Sequence, residues 1–189
     1  MRDYIIMTDS CCDLSQQEVE ELDLTVLPLS FTIEGKTLLN TPDHADLSPE
    51  EFFKKIAEGA DCTTAAVNVG QFTDAMEKVL DEGKDILCIC FSSALSTTYQ
   101  SACIAASDLR EKHSGAKIIV IDSLSASRGQ GMLLYRTVRE RREKGLDIDA
   151  LASYVDSIIQ SQDHWFFVDD LNHLKRGGRV SATAALVGT

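Results

Sequence analysis

Short apolar runs that alternate with helix-like segments constrain this sequence more than any other feature. Tyr4–Met7, Asp85–Phe91 and Lys117–Ile121 are continuous runs of mostly Ile, Leu, Val and Cys, without a regular alternation of polar residues. Such runs are typical of strands that are covered on both faces, as in a parallel sheet between helices. We therefore expect an α/β fold: a mainly parallel sheet with helices on both faces.

The segments between these runs carry start and stop signals for helices. Ser15 and Glu18 have the spacing of a capping box, and Ser48-Pro49 combines a cap residue with proline at the first helical position. Apolar spacing predicts further helices over residues 70–81, 98–112, 127–144 and 147–161. The sequence also predicts strands over 25–33, broken at Pro28, and over 164–168, and loops over 40–47 and 62–69.

The charge distribution excludes one class of partner. The net charge is −12, and residues 1–94 carry 19 acidic and 6 basic residues. A nucleic-acid-binding protein needs a basic face, so no nucleic acid is expected as a partner. No apolar stretch reaches the 18 residues of a membrane helix, and the N-terminal run is too short for a signal peptide, so we expect a cytoplasmic protein.

The six cysteines do not form a disulfide or metal pattern. Cys88 and Cys90 alternate within a strand-like run, and the sequence contains neither C-x-x-C nor paired Cys/His spacing of the zinc type. We expect reduced, mostly buried cysteines and no metal or other cofactor. A nucleophilic Cys11 or Cys12 remains the alternative.

Hydroxyl-rich loops follow three of the predicted strands: Thr8-Asp9-Ser10, Ser92–Ser96 and Asp122-Ser123. In an open parallel sheet, ligands bind beyond the carboxyl ends of the strands, where helix N-termini favour anions. The residues predicted to form a carboxylate or phosphate site are Thr63, Thr64, Ser92, Ser93 and Ser96. The alternative is that these hydroxyls only cap helices. No catalytic residue is predicted, since Asp9 and Asp13 are too far apart in sequence for an aspartyl-phosphate motif and no G-x-S-x-G motif is present.

Taken together, these motifs resemble the DegV family, which is similar to the fatty-acid-binding subunits of bacterial fatty acid kinases. The matching segments are Thr8-Asp9-Ser10, residues 91–102, Asp122-Ser123 with Ser127, Gly129 and Gly131, and residues 174–181. Two departures are visible: Thr97 stands where the family often has Gly, and the usual Thr-Ser-Gln-Pro loop is Thr64-Ala65-Ala66-Val67.

The resemblance implies a lipid-binding protein rather than an enzyme. One long-chain fatty acid would be bound, with its carboxylate on the Thr63/Thr64 and Ser92/Ser93 loops and its acyl chain in an apolar tunnel between two domains. The protein would present the carboxylate to a separate ATP-binding kinase subunit that forms acyl-phosphate. The resemblance also implies an N-terminal domain over 1–163 and a truncated C-terminal lipid-binding α/β domain that begins within 164–189.

Two other functions stay open on the sequence. The chain could be a subunit or relative of a small-molecule phosphotransfer enzyme, because related α/β folds host kinases. It could also be an interaction module that uses the basic turn formed by Lys175, Arg176 and Arg179. That turn and the basic helix segment Arg136–Lys144 are the predicted partner-binding surfaces. Transient contact with a membrane surface is a further expectation.

Overall fold

The computed structural model describes residues 2–165, 174–175 and 177–179. Within these ranges, the strands and helices have the following bounds: β1 Tyr4–Asp9, α1 Gln16–Leu22, β2 Leu24–Leu27, β3 Leu29–Ile33, β4 Lys36–Asn40, α2 Pro49–Ala57, β5 Cys62–Ala65, α3 Val69–Asp81, β6 Asp85–Cys90, α4 Thr98–Lys112, β7 Ile118–Asp122, α5 Ser127–Lys144 and α6 Ile148–Ile159. A short 3₁₀ turn, Ser10–Cys12, follows β1. The predicted strand at 164–168 falls mainly outside the described residues.

The main sheet is parallel, as predicted, with strand order β2-β1-β6-β7. Every residue of β6 is buried, because successive side chains enter opposite layers. Cys88 and Cys90 pack in the core beneath α3 and α4, whereas Leu87 and Ile89 pack with α5 and α6. Helices therefore cover both faces of the sheet, which confirms the predicted fold class.

A second, antiparallel sheet with order β4-β3-β5 was not predicted. The expected single strand over 25–33 is two strands in different sheets, because Pro28 interrupts the backbone between β2 and β3. The turn at Glu34-Gly35 then returns the chain into β4, with positive φ at both residues. Residues 62–65 form β5 against β3, so the prediction of a loop there was wrong. Small polar residues on a short edge strand lack the apolar alternation by which strands are recognised.

Capping residues fix the helix starts that the sequence predicted. The Ser15 hydroxyl accepts from the Glu18 amide at 3.3 Å, and the Glu18 carboxylate accepts from the Ser15 amide at 2.7 Å. The same carboxylate accepts from Arg128 Nη1 at 2.8 Å, which ties the start of α1 to the start of α5. These bonds hold the pKa of Glu18 at about 2, chiefly through the Ser15 amide and then through Arg128.

Gly131 allows α5 to approach the 3₁₀ turn closely. A Cβ atom at this position would lie 2.8 Å from the main-chain oxygen of Cys12 and 3.0 Å from Cδ2 of Leu14. Alanine is normally the better helix former, but here the neighbouring backbone would have to move.

We expect Gly131→Ala to lower the free energy of unfolding by about 1–3 kcal/mol, the usual cost of overpacking a core. Urea denaturation followed by circular dichroism measures this change. Met132→Ala, at the exposed next position of α5, is the control and should change the free energy by less than about 0.5 kcal/mol. Equal stability of Gly131→Ala and the wild type would contradict the close contact.

The structure also bears on the expectations for the cysteines and for membrane-spanning segments. All six cysteines are free, and Cys88 Sγ and Cys90 Sγ lie 3.5 Å apart in the core, on one face of β6 as predicted. Across the described ranges, no helix combines the length and the apolar character that a membrane span requires.

Candidate functional site

Hydrogen bonds join the ends of three parallel strands into one polar edge. The Phe91 amide donates to Asp9 Oδ2 at 2.7 Å, which links the ends of β6 and β1. The amide of Ser92 donates to the Ser125 carbonyl at 3.0 Å, and the amide of Ser93 donates to Asp122 Oδ1 at 3.1 Å. The loops after β1, β6 and β7 therefore meet at the carboxyl edge of the sheet, where the sequence placed an anion site.

Four hydrogen-bond donors lie in the loop after β6 and in the first turn of α4. The Ser93 hydroxyl is exposed, and among the described residues it has no hydrogen-bond partner. The amides of Thr97, Tyr99 and Gln100 are likewise without an acceptor in the described part of the chain, and no side chain caps at Thr97. Unpaired amides and the positive end of a 15-residue helix favour a negatively charged group at this point. We call these four donors the α4 anion site.

The hydroxyls of Ser92 and Ser96 shape this loop. Ser92 is buried, its hydroxyl accepts from the Ala94 amide at 3.3 Å, and its carbonyl accepts from the amides of Leu95 and Ser96. Ser96 Oγ lies 2.9 Å from the Thr98 hydroxyl and accepts from the Thr98 amide at 3.2 Å. The alternative reading of these serines as local caps therefore has direct support at Ser96, while their contact with a ligand stays a prediction.

Thr63 and Thr64 lie on β5, in the antiparallel sheet, and both are exposed. Thr63 is opposite Thr32, and Thr64 is opposite Phe31. Because successive side chains of a strand point to opposite faces, only one of the two threonines can face a given ligand. Among the described residues, no hydrogen bond connects either threonine to the loop that carries Ser92 and Ser93.

The small sheet is nevertheless attached to the carboxyl edge. The buried hydroxyl of Ser10, directly after β1, accepts from the Leu29 amide at 3.0 Å and from Asn40 Nδ2 at 3.2 Å. These bonds fix the first residue of β3 and the last residue of β4 against the end of β1. The position of β5 relative to the parallel sheet therefore depends on Ser10.

Thr8 and Asp9 are buried structural residues at this edge. The Asp9 carboxylate accepts from the amides of Phe91 and Cys11 and from Gln130 Nε2, at 2.7, 3.1 and 3.4 Å. The hydroxyl of Thr8 donates to the Ile89 carbonyl at 2.7 Å and accepts from Gln130 Nε2 at 3.0 Å. Gln130 was not predicted as part of this network, because a glutamine within a polar helix gives no indication that it is fully buried.

Cys11 and Cys12 are poor candidates for a nucleophile. Burial raises the pKa of the Cys11 thiol well above its ordinary value, and the carboxylates of Asp9 and Asp13 raise it further, whereas Arg179 lowers it. Burial likewise raises the pKa of Cys12 to about 11. Both side chains therefore stay as neutral thiols near pH 7, and the thiolate is the reactive form.

The first predicted basic surface is the segment Arg136–Lys144 of α5, and several of its basic side chains are engaged within the domain. On α5, Arg139 pairs with Glu143 and Lys144 with Glu140, while Arg141 and Arg142 donate to the carbonyls of Tyr4 and Glu21. Arg141 and Arg142 thus bond to other elements of the domain, and Arg141 also lies 4.1 Å over the Tyr4 ring, whereas the pairs of Arg139 and Lys144 stay within α5.

The basic turn is only partly described. Lys175 and Arg179 are exposed, and Arg176 lies outside the described residues. The amides of Gly178 and Arg179 donate to the carbonyls of Lys175 and Leu174, each at 3.0 Å, so the backbone forms a closed turn. A partner for the turn stays a prediction.

Large apolar side chains are exposed around the same edge. Leu95, Leu124 and Trp165 are 39%, 48% and 90% exposed. A groove of about 380 Å³ runs along β7, with Tyr99, Ile121, Leu124 and Ile159 among its lining residues. Exposed leucines therefore lie in the loop of the α4 anion site and in the neighbouring turn, and the groove itself is lined by both apolar and polar side chains, the latter including Asp122 and Asp156.

Comparison with known proteins identifies related sequences over the whole chain. The family model of the DegV family matches residues 4–189. A DegV domain-containing protein of Clostridium perfringens is 39% identical over 189 residues, and one of Lactococcus lactis is 40% identical over 186 residues. These alignments cover 100% and 98% of this chain, and the chain spans 64% of the length of each relative.

Solved structures show the same fold. A stearic-acid-binding protein of Eubacterium ventriosum superposes with a TM-score of 0.87 at 30% identity. The match covers 98% of this chain and 64% of the Eubacterium protein. A fatty-acid-binding DegV family protein of Thermus thermophilus superposes with a TM-score of 0.83 at 32% identity. The match covers 100% of this chain and 64% of the Thermus protein. Both relatives are described as fatty-acid-binding proteins.

Proposed function

The chain belongs to the DegV family, and we propose that it binds one long-chain fatty acid through the carboxylate. The α4 anion site would hold the carboxylate, with Thr64 of β5 as a further donor. The observation that carries this proposal is the exposed Ser93 hydroxyl in the loop that leads into α4, together with three amides at the start of α4 that have no acceptor among the described residues. A carboxylate accepts several hydrogen bonds, and bonds to a charged acceptor are stronger than neutral ones.

The apolar surroundings favour a fatty acid over a small polar anion. Leu95 lies in the loop of the site, and Leu124 shares Asp122 Oδ1 with the Ser93 amide, so a bare phosphate would gain nothing from these exposed leucine side chains. Burial of an acyl chain contributes about 0.8 kcal/mol per methylene group. The acyl chain would run in an apolar tunnel between the N-terminal domain over 1–163 and a second domain that begins within 164–189.

The protein would act as an accessory to an enzyme. It would present the bound carboxylate to a separate ATP-binding kinase subunit that forms acyl-phosphate, in the cytoplasm, with transient contact to a membrane surface. The raised pKa values of Cys11 and Cys12 and the structural engagement of Asp9 support a carrier without a nucleophile of its own. Lys175, Arg176 and Arg179 are the proposed contact residues for an acidic partner.

Native mass spectrometry of the full-length protein tests the binding proposal. We expect a protein species carrying one fatty acid, which organic extraction releases. Incubation of the purified protein with ATP and stearic acid should give no acyl-phosphate and no ADP. Absence of bound lipid, together with no binding of added stearic acid, would refute the proposal, and ATP turnover by the protein alone would favour a phosphotransfer enzyme.

The opposite orientation of the two β5 threonines allows a matched pair of variants. We propose Thr64 as the ligand-contacting residue, because it occupies the threonine position of the loop that the family resemblance identifies. Thr64→Val, which removes the hydroxyl and keeps the shape, should weaken stearic acid binding about fivefold or more. Thr63→Val should bind as the wild type does. Isothermal titration calorimetry measures both, and a larger effect at Thr63 would contradict the assignment.

A further inference from the structure

The segment 162–164 is attached to the start of α5 by specific contacts. Gln162 Nε2 donates to the Gly129 carbonyl at 2.6 Å, and His164 Nε2 lies 3.1 Å from the Ser125 hydroxyl. The imidazole ring of His164 also occupies the space in which a side chain on Gly129 would lie. The position of His164 therefore depends on the absence of a side chain at Gly129.

The other hydrogen bonds of Ser125 determine which residue is the donor in its hydrogen bond with His164. Ser125 is buried, and its hydroxyl donates its single hydrogen to the Ser123 carbonyl at 3.0 Å. It therefore accepts from the Nε2–H of His164. The Ser125 amide in turn donates to the Ser123 hydroxyl at 3.1 Å, which closes a compact turn.

This turn is bonded directly to the loop of the α4 anion site. The Ser125 carbonyl accepts from the Ser92 amide at 3.0 Å. The preceding residue, Leu124, has a φ of 50°, a conformation that a leucine adopts only when its surroundings impose it. Its amide shares Asp122 Oδ1 with the Ser93 amide, each at 3.1 Å. A change in the turn would therefore move the main chain of both Ser92 and Ser93.

We propose that His164 is a positioning residue for the carboxylate site. It fixes Ser125, and through the Ser125 carbonyl it fixes the main chain that carries the Ser93 hydroxyl. This role rests on the proposed function, because it assigns His164 to the site that binds the fatty acid carboxylate. It also makes the geometry of that site depend on how segment 162–164 lies against α5.

The test uses the full-length protein, four single variants and one double variant. His164→Ala should weaken stearic acid binding about threefold to tenfold, the equivalent of one hydrogen bond. His164→Gln, whose amide can donate to Ser125, should restore most of the affinity. Gly129→Ala should weaken binding to a similar extent by displacing the ring, although alanine favours the helix and should not lower the thermal midpoint. His113→Gln, at the opposite end of α4, is the control.

Two measurements separate positioning from a general loss of structure. The Gly129→Ala/His164→Ala double variant should bind no more weakly than His164→Ala, because both changes remove the same contact. Amide hydrogen exchange at Ser92 should accelerate in His164→Ala and in Gly129→Ala, with Ile89 unchanged. The exchange measurement needs no ligand, so it tests the inference even if the wild type binds no fatty acid. Wild-type exchange at Ser92, or wild-type affinity of both single variants, would overturn it.

Discussion

Replacement of Ser93 by alanine is expected to weaken stearic acid binding by the full-length protein by ~1–3 kcal/mol, or roughly fivefold to 150-fold in Kd. The Ser93 hydroxyl is exposed at the carboxyl edge and makes no hydrogen bond within the described residues, so its proposed partner is the ligand. Its amide, bonded to Asp122 Oδ1 at 3.1 Å, is unaffected by the substitution. The loss should therefore come from the carboxylate contact alone.

The stability of the protein distinguishes this effect from a disturbed fold. Because no described residue bonds to the hydroxyl, Ser93→Ala should unfold at the wild-type urea concentration. Ser107→Ala, an exposed serine on α4 away from the anion site, is the matched control and should bind as the wild type does. Isothermal titration calorimetry on delipidated protein measures all three affinities. An unchanged Kd for Ser93→Ala would remove Ser93 from the site.

The second large effect is expected on stability, from the removal of Asp9. Asp9→Ala should lower the free energy of unfolding by about 2–4 kcal/mol, because it leaves the amides of Phe91 and Cys11 without their acceptor. It also opens a cavity beside Gln130 at the junction of β1, β6 and α5. Asp108→Ala, an exposed carboxylate on α4, is the control, with an expected change below about 0.5 kcal/mol. A wild-type urea midpoint for Asp9→Ala would contradict the structural role.

The pH dependence of stability tests the same network. Burial raises the pKa of Asp9 above its ordinary value, although the amides of Phe91 and Cys11 act in the opposite direction. An acid with a raised pKa in the folded state binds its proton more tightly there than in the unfolded chain. Its contribution to stability is thus complete below the unfolded pKa of about 3.9, and it is lost as the pH rises through the folded value.

Asp9→Asn isolates this contribution because it keeps the shape and removes the titrating group. The stability of the wild type relative to Asp9→Asn should therefore fall as the pH rises from 4 to 8. Urea denaturation at a series of pH values measures the difference. A difference that grows with pH would show that the amide donors outweigh burial and hold the pKa of Asp9 below its ordinary value.

Local sequence patterns accounted for most of the parallel sheet and its helices. The continuous apolar run of β6 predicted a strand buried on both sides, and the structure places its side chains in both cores. Ser15 with Glu18, and Ser48 before Pro49, fixed two helix starts through bonds that span only three residues. Such interactions are local, so the residues that make them can be recognised without knowledge of the rest of the fold.

The antiparallel sheet could not be predicted in the same way. β5 consists of Cys62, two threonines and Ala65, and it pairs with β3, about thirty residues earlier in the chain. Nothing local in these residues specifies that partner. The pairing depends on where Ser10 holds β3 and β4 against the end of β1.

The candidate site, like the fold, was predictable from local sequence only in part. Residue type and order were enough to predict that hydroxyl-rich loops follow buried parallel strands, and from this we predicted an anion site at the carboxyl edge. Only the tertiary structure separated Ser93, whose hydroxyl is unengaged by the described residues, from Ser92 and Ser96, whose hydroxyls bond within the loop. It alone placed Gln130 against Thr8 and His164 against Ser125. Residue type and spacing define which donors a loop contains, whereas burial and long-range contacts decide which of them remain available for a ligand.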